Sequence, residues 1–157
     1  MEVVGPESVG TQAVAALNSG DLEAATALTR QMVRLHDRMG ISIVSVTDDS
    51  ARLTMELTDE TSGSAAGTVH GGLLATFADI AAAMAVTRSL DNETQIQITT
   101  DLHIRYFRQP KSGPLTANAV LVHSGRKILS AECVISDAEQ RVLARATATY
   151  MVAPRPF

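Results

Sequence analysis

The stretch from Thr61 to Thr87 carries a single formally charged residue, Asp79, inside an alanine-rich run whose spacing predicts a helix. An ionised carboxylate in such surroundings is costly unless something compensates it. The run opens with Val69-His70-Gly71-Gly72, and glycines at a helix start present bare backbone N–H groups. One segment therefore pairs an electrophile-binding end with a potential base, which is the principal functional lead.

A chain of 157 residues with 45% hydrophobic content suits one compact domain with a genuine core. Its formal charge of −4 argues against a general nucleic-acid binder, which needs surplus Lys and Arg to displace counterions. Cys133 is the only cysteine, so an intrachain disulfide framework and a multi-cysteine zinc cluster are excluded, and a reducing cytoplasm fits best. It reads as a small core residue. The N-terminus lacks a basic-then-apolar signal pattern, and no stretch reads as apolar enough for long enough to span a bilayer. The expectation is a cytoplasmic protein without membrane contact.

Helical spacing gives way to alternation near Met39-Gly40, dividing the chain into an N-terminal helical extension, residues 1–39, and a main domain, residues 40–157. In the extension, Asn18-Ser19-Gly20-Asp21 separates a short helix around Thr11 to Leu17 from one spanning Leu22 to Arg38. Leu22, Ala25, Leu28, Met32, Leu35 and Met39 form the apolar stripe of the second helix, and Arg30, Arg34 and Arg38 line a solvated face.

Beyond Gly40, Ile41 to Thr47 and Arg52 to Thr58 form a hairpin with Leu53, Met55 and Leu57 on one side. After a polar loop, the helix from Gly72 to Ser89 buries Leu73, Phe77, Ile80 and Met84. Four strands follow, at Gln95 to Phe107, Leu115 to Ser124, Lys127 to Ser136 and Arg141 to Val152, with Pro154 and Pro156 ending the last. Their short connections predict an antiparallel meander. The first alternates cleanly, with Ile96, Ile98, Leu102, Ile104 and Tyr106 on one face and Thr99, Asp101, His103 and Arg105 on the other. One long helix against one curved antiparallel sheet is an α+β layer.

This order of elements, with Gly67-Thr68-Val69-His70-Gly71-Gly72 and then Ala78-Asp79 on one helix, resembles the hotdog-fold acyl-CoA thioesterases, the phenylacetate-pathway branch most of all. The likeness covers Gly40 to Val152 and omits the N-terminal helices. It implies a cofactor-free and metal-free hydrolase acting on an acyl-CoA or acyl-carrier-protein thioester. Asp79 would activate water or attack the carbonyl directly, while the Gly71 N–H polarises its oxygen. Asp79 lies eight residues past Gly71, about 12 Å along a helix, too far for both to serve one carbonyl from the same chain. A second subunit is therefore expected, in a homodimer or a dimer of dimers whose protomers build composite sites.

The resemblance gives His70 an orienting role, although fixing the loop by hydrogen bonding alone is its simpler task. It aligns Thr99 with a hydroxyl that orients water, with Thr100 one register slip away. Relatives place asparagine six residues before the histidine, where Ser64 stands here; serine offers no amide donor, so either water fills the gap, Ser62 or Thr68 substitutes, or turnover is slow. Gly72 and Thr68 are further substrate contacts. Arg126 and Lys127 in one turn, and Arg105, Arg108 and Lys111 near another strand end, are candidates for the coenzyme A phosphates, or solubilising charge. Two alternatives remain open: a dehydratase or hydratase acting on acyl thioesters, and a non-catalytic acyl-thioester binding or sensing module.

Overall fold

The computed structural model describes residues 6–63 and 68–156, so Ser64 and Gly67 lie outside the described residues. Three helices come first: α1 (Pro6–Ser19), α2 (Leu22–Met32) and α3 (Arg34–Arg38). Gly20, at φ 79°, turns the chain between α1 and α2, and Asp21 caps α2 by accepting from the Ala24 N–H at 3.0 Å. The single helix expected over Leu22 to Arg38 is broken at Val33, whose β-branched side chain sits on extended backbone (φ −124°, ψ 99°). The break re-phases the apolar stripe, leaving Met32 and Leu35 46% and 45% exposed while Met39 stays buried. Arg30 also departs from expectation. Its guanidinium donates to the Ile41 carbonyl at 2.7 Å and the Ser42 hydroxyl at 3.0 Å, clamping α2 to the sheet.

Strands β1 (Ser42–Val46) and β2 (Ser50–Met55) form the hairpin, with Leu53 and Met55 buried and Leu57 exposed beyond the strand end. Helix α4 (Gly71–Val86) and a 3-10 turn (Thr87–Ser89) precede β3 (Gln95–Tyr106), β4 (Leu115–Ser124), β5 (Ile128–Ser136) and β6 (Val142–Pro154). Among the described residues they form one antiparallel sheet in the order β1-β2-β4-β5-β6-β3.

The meander holds only for β4, β5 and β6. Strand β3 instead occupies the far edge beside β6, because the 107–114 connection crosses the end of β5 and β6. The crossing is fastened there by the Phe107 N–H donating to the Leu143 carbonyl at 2.8 Å and by the buried Asp137 carboxylate. Asp137 accepts from the Lys111 and Arg141 N–H groups and pairs with the Arg141 guanidinium. Burial alone would raise its carboxyl; those donors and the guanidinium outweigh burial and hold it below the usual carboxylate range. Pro154 is the last residue of β6, still paired opposite Gln95, and Pro156 lies beyond the strand.

Helix α4 lies across the sheet on an alanine face. Leu74, Phe77, Ala78, Ala81, Ala82 and Ala85 are buried, whereas Leu73, Ile80 and Met84, expected as the buried stripe, flank it half-covered. Small residues allow a close helix–sheet approach, so enlarging one would overpack the layer at about 1–3 kcal/mol. By length and composition alone, the run Gly71–Ser89 is also apolar enough to cross a bilayer, contrary to the sequence reading. Its alanine face packed on the sheet accounts for that apolarity as a core helix.

The clean alternation expected along β3 is interrupted by a bulge. Thr99 pairs with Tyr150 and Asp101 with Thr149, leaving Thr100 unpaired in the ladder. The extra residue switches the faces: Gln97 and Thr99 reach α4, as do Leu102, Ile104 and Tyr106 beyond the bulge. Ile98 is consequently 43% exposed.

Candidate active site

Helix α4 begins at a loop held by several backbone contacts. Val69 bridges Ser62 and donates its N–H to the Gln109 side chain at 2.9 Å, while the Gly63 N–H donates to the Thr68 carbonyl at 2.7 Å. A Cβ on Gly63 would stand 2.5 Å from the Thr68 hydroxyl, so a larger residue there would have to displace that side chain. The Ser62 hydroxyl donates to the Thr58 carbonyl at 2.9 Å.

His70 is the N-cap. Its backbone is extended (φ −63°, ψ 130°), and its Nδ1 accepts from the Gly72 N–H at 3.0 Å. An accepting Nδ1 fixes the neutral tautomer with its proton on Nε2. The cap occupies the Gly72 N–H, whereas no acceptor among the described residues takes the Gly71 N–H. That group stands at the positive end of the helix dipole, with the Gly71 carbonyl held from the other side by the Tyr106 hydroxyl at 2.8 Å.

Asp79 lies two turns further along, half-buried, where β3 and β6 pass beneath the helix. Its Oδ1 accepts from the Thr99 hydroxyl at 3.1 Å and from the Tyr150 hydroxyl at 3.0 Å. Among the described residues its Oδ2 has only the longer Thr99 contact, at 3.4 Å. The Tyr150 hydroxyl also lies 3.0 Å from the Asp79 backbone carbonyl. Burial first, and then the Asp79 charge, push the Tyr150 phenol far above its ordinary range, so it remains a donor to the carboxylate. One carboxylate oxygen is thus anchored and the other left open.

Of the residues singled out from sequence, Asp79 and Thr99 come together, and His70, Gly71, Gly72 and Thr68 share the start of α4. Thr100 instead donates to the Thr149 carbonyl at 3.1 Å. The basic residues join neither group within one protomer. Arg105 is exposed opposite Arg145, whereas Lys127 receives the Val152 N–H beside Gln97 at the other end of the sheet. Seven residues of β6, Arg145 to Val152 and roughly 23 Å, separate the two places, so Arg105 and the Arg126-Lys127 turn cannot hold the same phosphate within one protomer. Cys133 is buried in the core, and burial pushes its thiol up to about 12.

Tyr150, Tyr106 and Gln109 were missed. Tyr150 had left a signal: it shares a face with Ala146 and Ala148, and a phenol on an inward alanine face demands a hydrogen-bond partner.

The family model described as "Thioesterase superfamily" matches residues 66–144. The chain is 31% identical over 96 residues to the medium/long-chain acyl-CoA thioesterase YigI of Escherichia coli, a match taking in 54% of this chain and 62% of that protein. It is 26% identical over 118 residues to the 1,4-dihydroxy-2-naphthoyl-CoA hydrolase of Listeria monocytogenes, across 75% of this chain and 94% of that one. Thioesterase HI1161 of Haemophilus influenzae superposes with a TM-score of 0.77 at 24% identity, covering 87% of this chain and 92% of its own, which establishes the hotdog fold.

Proposed function

The chain belongs to the thioesterase superfamily, and from that premise we propose that it hydrolyses acyl-CoA thioesters at a site shared between two protomers. The observation that carries this reading is the Asp79 carboxylate, anchored through Oδ1 by two hydroxyls and open at Oδ2. The open oxygen takes a proton from water as the water oxygen attacks the thioester carbonyl. Thr99 spends its proton on Asp79, and its free lone pairs accept from the same water and orient it. The carbonyl oxygen becomes an oxyanion beside a Gly71 N–H, aligned with the dipole of α4. The carbon–sulfur bond then breaks, the proton on Asp79 passes to the departing thiolate, and a carboxylic acid and free coenzyme A leave with the carboxylate restored. His70 holds the helix start in shape and takes no part in proton transfer.

The distance along α4 requires the Gly71 donor to come from the partner. Support comes from the edge of the sheet: β3 presents an unpaired ladder with Ile98 outward, the kind of edge that pairs with a second copy. Arg105, Arg126 and Lys127 reach the nucleotide only across such an assembly.

The test is thiol release from acyl-CoAs by wild type, Asp79→Asn and Asp79→Ala, each verified as a folded oligomer. Losing the base lowers the rate by about a hundred- to ten-thousand-fold. Activity that survives both substitutions overturns the mechanism. Tight acyl-CoA binding without thiol release by wild type establishes a sensing module instead.

A further inference from the structure

A cleft of about 340 Å³ runs from Asp79 along α4 to the N-terminal helices. Val14 and Leu17 of α1, Met32 at the end of α2, and Ile80, Ala83 and Met84 of α4 form its apolar walls. Among the described residues no phenyl, phenol or indole ring lines it, and His36 is the one ring in the lining. The half-covered flank of α4 left over by the alanine face is therefore what the extension encloses.

The extension is fixed in place. The Arg88 guanidinium, just beyond α4, donates to the Leu17 carbonyl at 2.9 Å and pairs with Asp48, and the Thr26 hydroxyl of α2 accepts from the Ile43 N–H at 2.9 Å. A Cβ on Gly10 would stand 3.5 Å from the Met32 sulfur, so α1 and α2 close on each other at the cleft wall. His36, also lining the cleft, is pushed below its ordinary range by burial and is neutral at pH 7.

Resting on the thioesterase reading, we propose that this cleft receives the acyl chain, and that the N-terminal helices select unbranched aliphatic chains of about eight to twelve carbons. Three features carry this. Asp79 is itself part of the cleft lining, so a thioester carbonyl held at the carboxylate has its acyl chain at the cleft. The apolar walls are aliphatic and thioether side chains, which suit an alkyl chain, and the polar remainder of the lining, Thr29, His36, Asn92, Gln97 and Arg155, includes no phenyl or indole ring for an aryl group to stack on. With about 340 Å³, the cleft has room for an alkyl chain of medium length. Val14 of α1 and Ala83 of α4 both line the cleft, so a larger side chain at either position shortens the space left for the chain.

The experiment measures kcat/KM for straight-chain acyl-CoAs from butyryl to palmitoyl with wild type, Val14→Phe and Ala83→Leu. Gln12→Phe, on the exposed side of α1, serves as the control. Wild type gains about fourfold per methylene and levels off near ten carbons. Each cleft variant levels off earlier, and its decanoyl-to-butyryl ratio falls by at least about tenfold. Gln12→Phe keeps the wild-type profile. An unchanged ratio in both cleft variants overturns the proposal while thioester hydrolysis stands. Should wild type release no thiol from any substrate, the calorimetric affinity for free decanoate decides. Weaker binding by Val14→Phe upholds the cleft although the hydrolase reading fails, and equal binding by all four proteins overturns the cleft as well.

Discussion

Replacing Gly71 by proline removes one hydrogen-bond donor and leaves the fold almost untouched. Gly71 is the first residue of α4, where proline is tolerated because the N–H has no intrahelical partner and φ suits the ring. His70 already has the extended backbone that a residue before proline must adopt. A Cβ at Gly71 stands 3.5 Å from the Tyr106 ring, an ordinary contact. The melting temperature of Gly71→Pro should therefore stay close to wild type. Removing an oxyanion donor should lower kcat by about a hundred- to a thousandfold, some 3–4 kcal/mol of transition-state stabilisation. Gly71→Ala, which keeps the donor, should lose far less. Mixing Gly71→Pro with Asp79→Asn then tests the shared site, since a mixed dimer rebuilds one intact site from two defective chains. Random exchange at equal concentration leaves about a quarter of the sites whole, so activity returns on mixing to about that fraction of wild type. A stable Gly71→Pro enzyme with unaltered kcat refutes the donor assignment, and no recovery on mixing refutes the division between subunits.

Tyr150→Phe deletes a hydrogen bond to a charged group worth about 1.5–3 kcal/mol, so kcat should fall about ten- to a hundredfold with KM little changed. A raised KM with unchanged kcat would assign Tyr150 to binding instead. Asp137 tests acid stability. Its folded carboxyl lies below the unfolded value of about 3.9, so its stabilisation is complete above that value and is lost as pH falls through the folded one. Urea midpoints should show Asp137→Asn weaker than wild type at pH 7 and the difference shrinking towards pH 2; parallel curves would show that the fastening at Asp137 is not electrostatic. Deleting Thr100 removes the extra residue but keeps Thr99 opposite Tyr150 and facing α4, so activity should largely survive and thermal melting remain cooperative. Lost activity with an intact fold would show that the bulge does more than phase the two halves of the strand.

What was legible in the sequence is what short-range periodicity and cap chemistry encode. Gly71-Gly72 after His70 marks the start of α4, the turn at Ser124-Gly125-Arg126-Lys127 bounds β4 and β5, and isolation in an alanine run singles out Asp79. The departures come from interactions between distant segments. Arg30 is surface charge by spacing, but the carbonyl of Ile41 captures it. Leu73, Ile80 and Met84 dominate a hydrophobicity count, yet alanine faces the sheet because closeness of packing outweighs side-chain size. The position of β3 beside β6 depends on how the 107–114 connection satisfies its backbone groups, which no local pattern reports.

The bulge joins these threads. A strictly alternating β3 that buried Leu102 and Ile104 would have turned Ile98 inward as well, and Thr99 would have faced away from Asp79. One extra residue at Thr100 lets the same strand use its C-terminal half for the core and its N-terminal half for a hydroxyl at the carboxylate. It also leaves Ile98 on the outside of the exposed edge, where a paired copy would cover it. On the proposed reading, the strand that anchors the Asp79 carboxylate through Thr99 is also the strand on which a partner would dock. Pairing along β3 would order Thr99 against Asp79 and bring in the second α4 whose Gly71 the proposed reaction needs. Assembly and catalysis would then depend on one edge, and a monomer would keep the carboxylate and lose its oxyanion donor.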